Sequence, residues 1–168
     1  MRTVGVGSKG NKMASTPGLR ALEAKGVAVT LHPYDYDPQA DAVGLAAAKA
    51  LGLEPGLVLK TLMVEVDGMP ACCVIPSDRQ LSMKRVAAAF GGKAAAMMPP
   101  AKAEKLTGYH VGGISPFGQK RAVPTAMEAT ACGAEKVWIN AGARGLLLGI
   151  APGVALEALG AKALPLIA

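Results

Sequence analysis

Two apolar runs separated by Asp67-Gly68 constrain this chain more than any other stretch of it. Lys60 to Val66 and Met69 to Ile75 both have strand character, and Asp-Gly between such runs is a strong signal for a two-residue hairpin turn. An antiparallel pair is therefore predicted, with Lys60 opening its first strand. The second strand contains Ala71-Cys72-Cys73-Val74-Ile75, which reads as buried, so Cys72 and Cys73 are expected to be core thiols.

Turn and cap residues divide the rest of the chain. Thr16 as cap, Pro17 at the first helical position and Gly26 after Lys25 bracket a short helix with Leu19 and Leu22 on one face. Val27 to His32 alternates as a strand, and the alanine-rich stretch from Asp41 to Leu51 is a helix that stops at Gly52. Ser82 caps a helix over Met83 to Phe90 that Gly91-Gly92 ends, and Pro100 to Leu106 forms another. Strands follow at Lys136 to Asn140 and Leu146 to Ile150, then a helix from Pro152 to near Gly160 and a closing strand within Lys162 to Ile167. Without a regular βαβ alternation, these elements point to an α/β (α+β) fold, a mixed sheet or barrel with helices outside it.

At 168 residues the chain fits one domain, expected over residues 15–168. Residues 1–14 are expected to be a disordered leader or expression remnant outside the fold, and Met13 is a plausible natural start. Gly5-Val6-Gly7-Ser8-Lys9-Gly10 matches a dinucleotide fingerprint, but too few residues precede it to form the strand that such a site needs. Hydrophobic residues make up 51% and aromatics 4%, so the core is expected to be aliphatic, and a base-stacking platform of exposed rings is disfavoured. No apolar run approaches the roughly 20 residues of a membrane helix, and Met1 to Met13 lacks the apolar segment of a secretory signal. The expectation is a cytoplasmic protein with no membrane or DNA partner. Of the net charge of +6, Arg2, Lys9 and Lys12 supply three units. Mild basicity in the remainder fits a polyanionic partner or an ordinary solvated face. Cys72, Cys73 and Cys132 form no C-x-x-C, and the chain has only His32 and His110. Neither a disulfide framework nor a metal site is expected, and no cofactor.

The segment Gly108-Tyr109-His110-Val111-Gly112-Gly113-Ile114-Ser115-Pro116-Phe117-Gly118-Gln119-Lys120-Arg121 is dense in glycine and interrupted by proline. Such a backbone can approach a ligand closely and turn N–H groups toward an oxygen. Gly113 to Phe117 nearly matches a nucleophile elbow, but Phe117 replaces the last glycine and Pro116 opposes the required turn. Ser115 is therefore not expected to be a nucleophile. Lys60 lies in an apolar strand, where a charge must point to solvent or to a cleft. The residues alone leave both readings open, and they also leave the glycine run as either a structural loop or a binding loop.

Taken together, His32-Pro33-Tyr34-Asp35-Tyr36-Asp37-Pro38, Leu51-Gly52-Leu53, Val58-Leu59-Lys60-Thr61-Leu62, Gly108 through Thr125 and Gly142-Ala143-Arg144-Gly145-Leu146 resemble the YbaK/EbsC family of free-standing aminoacyl-tRNA editing domains, in the family's order and from Thr16 onward. The resemblance implies a six- to seven-stranded mixed, barrel-like sheet with surrounding helices. It implies hydrolysis of mischarged aminoacyl-tRNA, foremost Cys-tRNA(Pro), with the substrate's own thiol attacking its ester. It further implies tRNA as partner and association with prolyl-tRNA synthetase. By this carry-over Lys60 binds the terminal adenosine or phosphate region and stabilises developing charge, Gly112 and Gly113 aim N–H groups at the carbonyl oxygen, and Tyr34, Ile114, Ser115, Pro116 and Asn140 bind substrate. Lys120, Arg121 and Arg144 would contact the tRNA. The chain departs from the family's habit at Val43, where an aromatic is common, at Asn140, where serine is common, and at Leu147, where an acidic or polar residue is common. Two rival functions are a sister deacylase for Ala- or Ser-tRNA that uses water, and a non-catalytic module that binds tRNA or a synthetase.

Overall fold

The computed structural model describes the backbone of residues 2–4 and residues 15–168. Residues 1 and 5–14, which include most of the expected leader and the glycine fingerprint, lie outside the described residues. The elements run β1 (Arg2–Val4), α1 (Pro17–Ala24), β2 (Val29–Pro33), α2 (Val43–Leu51), a 3-10 turn (Pro55–Leu57), β3 (Leu59–Val66), β4 (Met69–Pro76), α3 (Met83–Ala89), β5 (Ala95–Met97), α4 (Pro100–Thr107), β6 (Thr125–Glu128), β7 (Val137–Ala143), β8 (Leu146–Ile150), α5 (Pro152–Leu159) and β9 (Lys162–Leu164). They build two sheets, ordered β1-β2-β8-β7 and β5-β3-β4-β6-β9. β4 and β6, and β6 and β9, pair in parallel, while the other ladders are antiparallel. A bridge between Val58 and Trp138 joins the sheets. The mixed sheet with outer helices is thus present as two sheets rather than a closed barrel. Arg2–Val4 pairs with β2, a contribution that the reading of residues 1–14 as lying outside the fold did not anticipate.

The β3–β4 hairpin forms where Asp67-Gly68 placed it. Asp67 and Gly68 have φ of 49° and 81°, the positive values that a twisted two-residue turn demands. Asp67 also holds β5 in place, because its carboxylate accepts the N–H groups of Lys93 and Ala94, each at 3.0 Å. Along β4 the side chains alternate between two cores. Cys72 and Val74 pack into the main core with Leu22, Met63, Ile139 and Leu148. Ala71, Cys73 and Ile75 pack on the opposite face with Val86, Leu166 and Ile167. This period of two, buried on both sides, explains why the strand is apolar throughout.

Thr16 does more than cap α1. Its Oγ1 accepts from the Leu19 N–H at 3.1 Å and donates to the Ala141 carbonyl at 2.5 Å, which anchors the helix start on β7. Glu128 plays a similar part at the C-terminal end. It is 1% exposed; one oxygen accepts the N–H groups of Leu166 at 2.8 Å and Ile167 at 3.2 Å, and the other accepts that of Thr130 at 2.8 Å. Burial alone would raise its pKa, but these backbone donors outweigh it and hold the carboxyl below its ordinary 4.5.

Glu128 thus stabilises the fold fully above the ordinary carboxylate value, and that contribution is lost as pH falls from 4.5 through the lower folded-state value. Glu128→Ala should cost about 3 kcal/mol at pH 7 in urea denaturation, since the buried N–H groups of Leu166 and Ile167 and the partly buried one of Thr130 lose a charged acceptor. Its stability should also fall less steeply than wild type below pH 4.5.

Candidate active site

A cleft of about 400 Å³ opens beside the junction of the two sheets. One wall is the first half of β3, from Leu59 to Met63, and another is α2 through Val43, Gly44 and Ala47. Gly44 permits α2 to sit close to the end of β4, because a Cβ there would run into the Ser77 side chain. Ser77 in turn donates to the Val58 carbonyl at 2.5 Å, fixing the entry to β3. Val111, Gly112 and Ile114 close the cleft from the glycine segment, and Asn140 and Leu147 from β7 and β8.

Of the residues singled out in the sequence, Lys60, Tyr34, Gly112, Ile114 and Asn140 line this cleft together. Lys60 is held below the usual lysine pKa of 10.5 by burial, which the nearby Asp78 carboxylate opposes. Burial raises the pKa of the Tyr34 phenol, and this outweighs the opposing influence of the nearby Gly145 backbone. Two buried hydroxyls at the cleft, Tyr34 Oη and Thr61 Oγ1, have no hydrogen-bond partner among the described residues. Such atoms are costly to bury unless a ligand or water engages them. Thr61 was within a recognised motif, but its role as a cleft hydroxyl depends on which way β3 turns it.

The glycine segment is built differently from the expectation in one respect. The Gly113 N–H donates to the His110 carbonyl at 2.8 Å, so it is not free to meet a carbonyl oxygen. Gly113 is needed for space instead. A Cβ on it would stand 2.8 Å from the Arg144 nitrogen and 2.9 Å from the Ala143 carbonyl carbon, closer than real side chains approach backbone. Among the described residues, the N–H groups of Gly112 and Ile114 have no acceptor, and both residues line the cleft. Ser115 is fully buried, and its Oγ accepts the Phe117 N–H at 3.2 Å. Pro116 lines a separate groove of about 210 Å³ between α1, α5 and the segment. Ser115 and Pro116 therefore shape the loop from behind rather than facing the cleft.

Asn140 is largely committed. Its Oδ1 accepts from Gly142 at 2.7 Å and Ala143 at 3.1 Å, and its Nδ2 donates to the Gly112 carbonyl at 3.3 Å. It stabilises a bulge in β7, where the register with β8 shifts between Asn140 and Ala143. Gln119 supports the segment from the other side, donating to the Ser115 carbonyl at 3.0 Å beside Met63 and Cys72. Lys120 and Arg121 are exposed and do not line the cleft; their backbone N–H groups donate to the Thr107 and Leu106 carbonyls at the end of α4, at 2.9 and 3.2 Å. Arg144 lies at the lip, with its Nε donating to the Val111 carbonyl at 3.0 Å.

Among the described residues that line the cleft there is no cysteine or histidine, and the Ser77 hydroxyl is committed to the Val58 carbonyl. Burial pushes the Cys72 and Cys73 thiols up to about 12, which leaves them protonated and inert at neutral pH. Among the described residues no group of His, Cys, Asp and Glu is arranged to hold a metal ion. The cleft can seat an ester against apolar walls and place a cation beside developing charge, with two hydroxyls and the backbone of Gly112 and Ile114 at its edge.

The aminoacyl-tRNA editing domain model matches residues 37–156. The chain belongs to this family. It is 35% identical over 108 residues to an Enterococcus faecalis protein named "Putative Cys-tRNA(Pro)/Cys-tRNA(Cys) deacylase EbsC", a match that spans 64% of this chain and 66% of that protein. A solved "putative trans-editing enzyme for prolyl tRNA synthetase" superposes with a TM-score of 0.79 at 23% identity, covering 92% of this chain and 98% of that one. The structure of "hypothetical protein APE2540" superposes at 0.81, also at 23% identity, over 91% of this chain and all 100% of that one. These two likenesses concern the fold. The family match takes in the cleft residues from α2 through β8, whereas Tyr34 lies just ahead of it.

Gly113→Ala should displace the segment from the β7–β8 turn and cost about 1–3 kcal/mol, the usual range for forced overpacking. Thermal denaturation measures the loss. An unshifted melting temperature would mean that the segment does not rest on Ala143 and Arg144 as described.

Proposed function

We propose that this chain is a trans-acting deacylase that hydrolyses the ester of mischarged aminoacyl-tRNA, foremost Cys-tRNA(Pro). The observation that carries this reading is Lys60, a cation with a depressed pKa in a mostly apolar cleft whose described lining contains no cysteine or histidine. Membership in the editing family and the name of the Enterococcus relative support the substrate class.

The chemistry asks little of the protein beyond placement. The thiol of the esterified cysteine attacks its own carbonyl carbon as the ester C–O bond breaks; the thiol proton passes to the departing tRNA oxygen, and water then opens the resulting cyclic thioester to free cysteine. An intramolecular attack in good geometry has an effective molarity of roughly 10⁵ M or more, so holding the ester in one conformation supplies much of the rate. Lys60 stabilises the negative charge that forms on the carbonyl oxygen, aided by the Gly112 and Ile114 N–H groups. The Tyr34 and Thr61 hydroxyls gain partners from the aminoacyl group. Lys120 and Arg121 engage the tRNA backbone away from the cleft, and their contribution should weaken with salt. The reaction belongs where translation occurs, in the cytoplasm, and prolyl-tRNA synthetase is the proposed source of the mischarged tRNA. Among the described residues no helix is long and apolar enough to cross a membrane.

A second reading has support in Val43 and Leu147, which make two sides of the cleft aliphatic. Such walls suit a small apolar side chain such as alanine, for which water must be the nucleophile.

Lys60→Ala should reduce kcat/KM for Cys-tRNA(Pro) by about 100-fold or more, the scale of losing a principal charge-stabilising group. The same variant should melt close to wild type, because it removes a half-buried cation that forms no close ion pair among the described residues. Turnover equal to wild type would overturn the role of Lys60. Cys72→Ser and Cys73→Ser, assayed below their melting temperatures, should each retain turnover; a folded but inactive variant would point to a protein thiol.

A further inference from the structure

A cation and an aromatic ring are assembled at the lip of the cleft, and the reading above uses the cation only in general terms. The Arg144 Cζ lies 5.5 Å from the centroid of the Tyr36 ring, within the range of a cation–π contact. The Arg144 Nε donates to the Val111 carbonyl at 3.0 Å, and Val111 lines the cleft while remaining 44% exposed. The ring itself packs on the neighbouring residue, since a Cβ at Gly112 would stand 2.6 Å from Tyr36 Oη. The guanidinium is thus fixed by the loop at one N–H and by a ring. Among the described residues no carboxylate comes within 4.0 Å of it. Asp35 and Asp37 flank Tyr36 in sequence, but one Asp37 oxygen already accepts the Gln39 N–H at 2.9 Å.

The two terminal nitrogens of Arg144 are therefore uncommitted, exposed and held in place. A planar fork of this kind suits the paired oxygens of a phosphodiester, and prior fixing of the side chain lowers the entropy lost on binding. Position narrows the ligand further. Val111 and Gly112 join the clamp to the cleft, and one nucleoside separates a 3′ ester from the phosphate that precedes it. An ester seated near Lys60 would leave that phosphate at the lip.

We propose that Arg144 and Tyr36 form a clamp for the phosphodiester immediately 5′ of the terminal nucleoside of an RNA 3′ end, with the guanidinium on the phosphate oxygens and the ring holding the guanidinium. The proposal rests on the deacylase reading for the seating of the ester, but its test reads binding alone. The probe is an uncharged acceptor-stem RNA hairpin with a single-stranded CCA end, and a second hairpin in which that one linkage is a neutral methylphosphonate. Affinity is measured by fluorescence anisotropy with wild type, Arg144→Ala, Arg144→Lys and Tyr36→Leu, each checked for an unaltered thermal transition.

Neutralising the linkage should weaken wild type about tenfold, the scale of one charge-assisted contact, and Arg144→Ala should weaken the normal hairpin by a similar factor. Arg144→Ala should then bind both hairpins alike, the signature of a coupled pair. Arg144→Lys should fall between, Tyr36→Leu should lose about threefold, and the salt slope of Arg144→Ala should be shallower by about 0.7. The clamp is overturned if Arg144→Ala loses as much as wild type on neutralisation, or if wild type binds neither hairpin. If the binding pattern holds and no ester is hydrolysed, the clamp stands and the deacylase reading fails.

Discussion

The side chain of Asn140 is the interaction on which the site depends. With Oδ1 it holds the bulge that turns β7 toward Ala143, and with Nδ2 it holds the Gly112 carbonyl. The bulge sets the backbone of Ala143 and Arg144 against Gly113, which is why a side chain has no room there. Through that contact the glycine segment closes one side of the cleft, and Arg144 reaches the Val111 carbonyl at its lip. One amide thus links a strand irregularity to the geometry of a loop distant in sequence. Bulges next to functional sites commonly serve to re-aim backbone and side chains in this way.

A second constraint is electrostatic. Lys60 stands in a cleft whose other walls are mostly aliphatic, and burial disfavours its charged form. Tyr34 and Thr61 add two hydroxyls that have no hydrogen-bond partner among the described residues. Groups arranged for folding alone would be paired or exposed. Their state here is what a site must keep if charge and hydrogen bonds are to be satisfied only when substrate arrives. The stabilising polar work is placed elsewhere, at Glu128 and at the Thr16 cap.

Local chemistry made much of the fold legible. Asp67-Gly68, the Thr16 and Ser82 caps and the glycines after α2 and α5 act over a few residues, and the elements they bound lie where the sequence places them. β5 and β6 carried no such signal, because they are short and exist only by pairing with β3, and with β4 and β9. The split into two sheets is a property of long-range register and could not be read from periodicity. At the site, residue types identified Lys60 and the glycine segment as unusual, and family resemblance joined them. The engagement of the Gly113 N–H, the rearward position of Ser115 and Pro116, and the pairing of Tyr36 with Arg144 are set by backbone conformation and tertiary contact. No spacing in the sequence encodes them.

The central claim is that the cleft supplies position and charge while the substrate supplies its own nucleophile. The most direct measurement is the single-turnover rate of deacylation of tRNA(Pro) carrying cysteine, alanine or serine, compared at one pH with the uncatalysed rate of each ester. The account predicts strong acceleration of the cysteinyl ester and little of the alanyl and seryl esters. Equal or greater acceleration of the alanyl or seryl ester would contradict it and place water, rather than the substrate thiol, as the nucleophile.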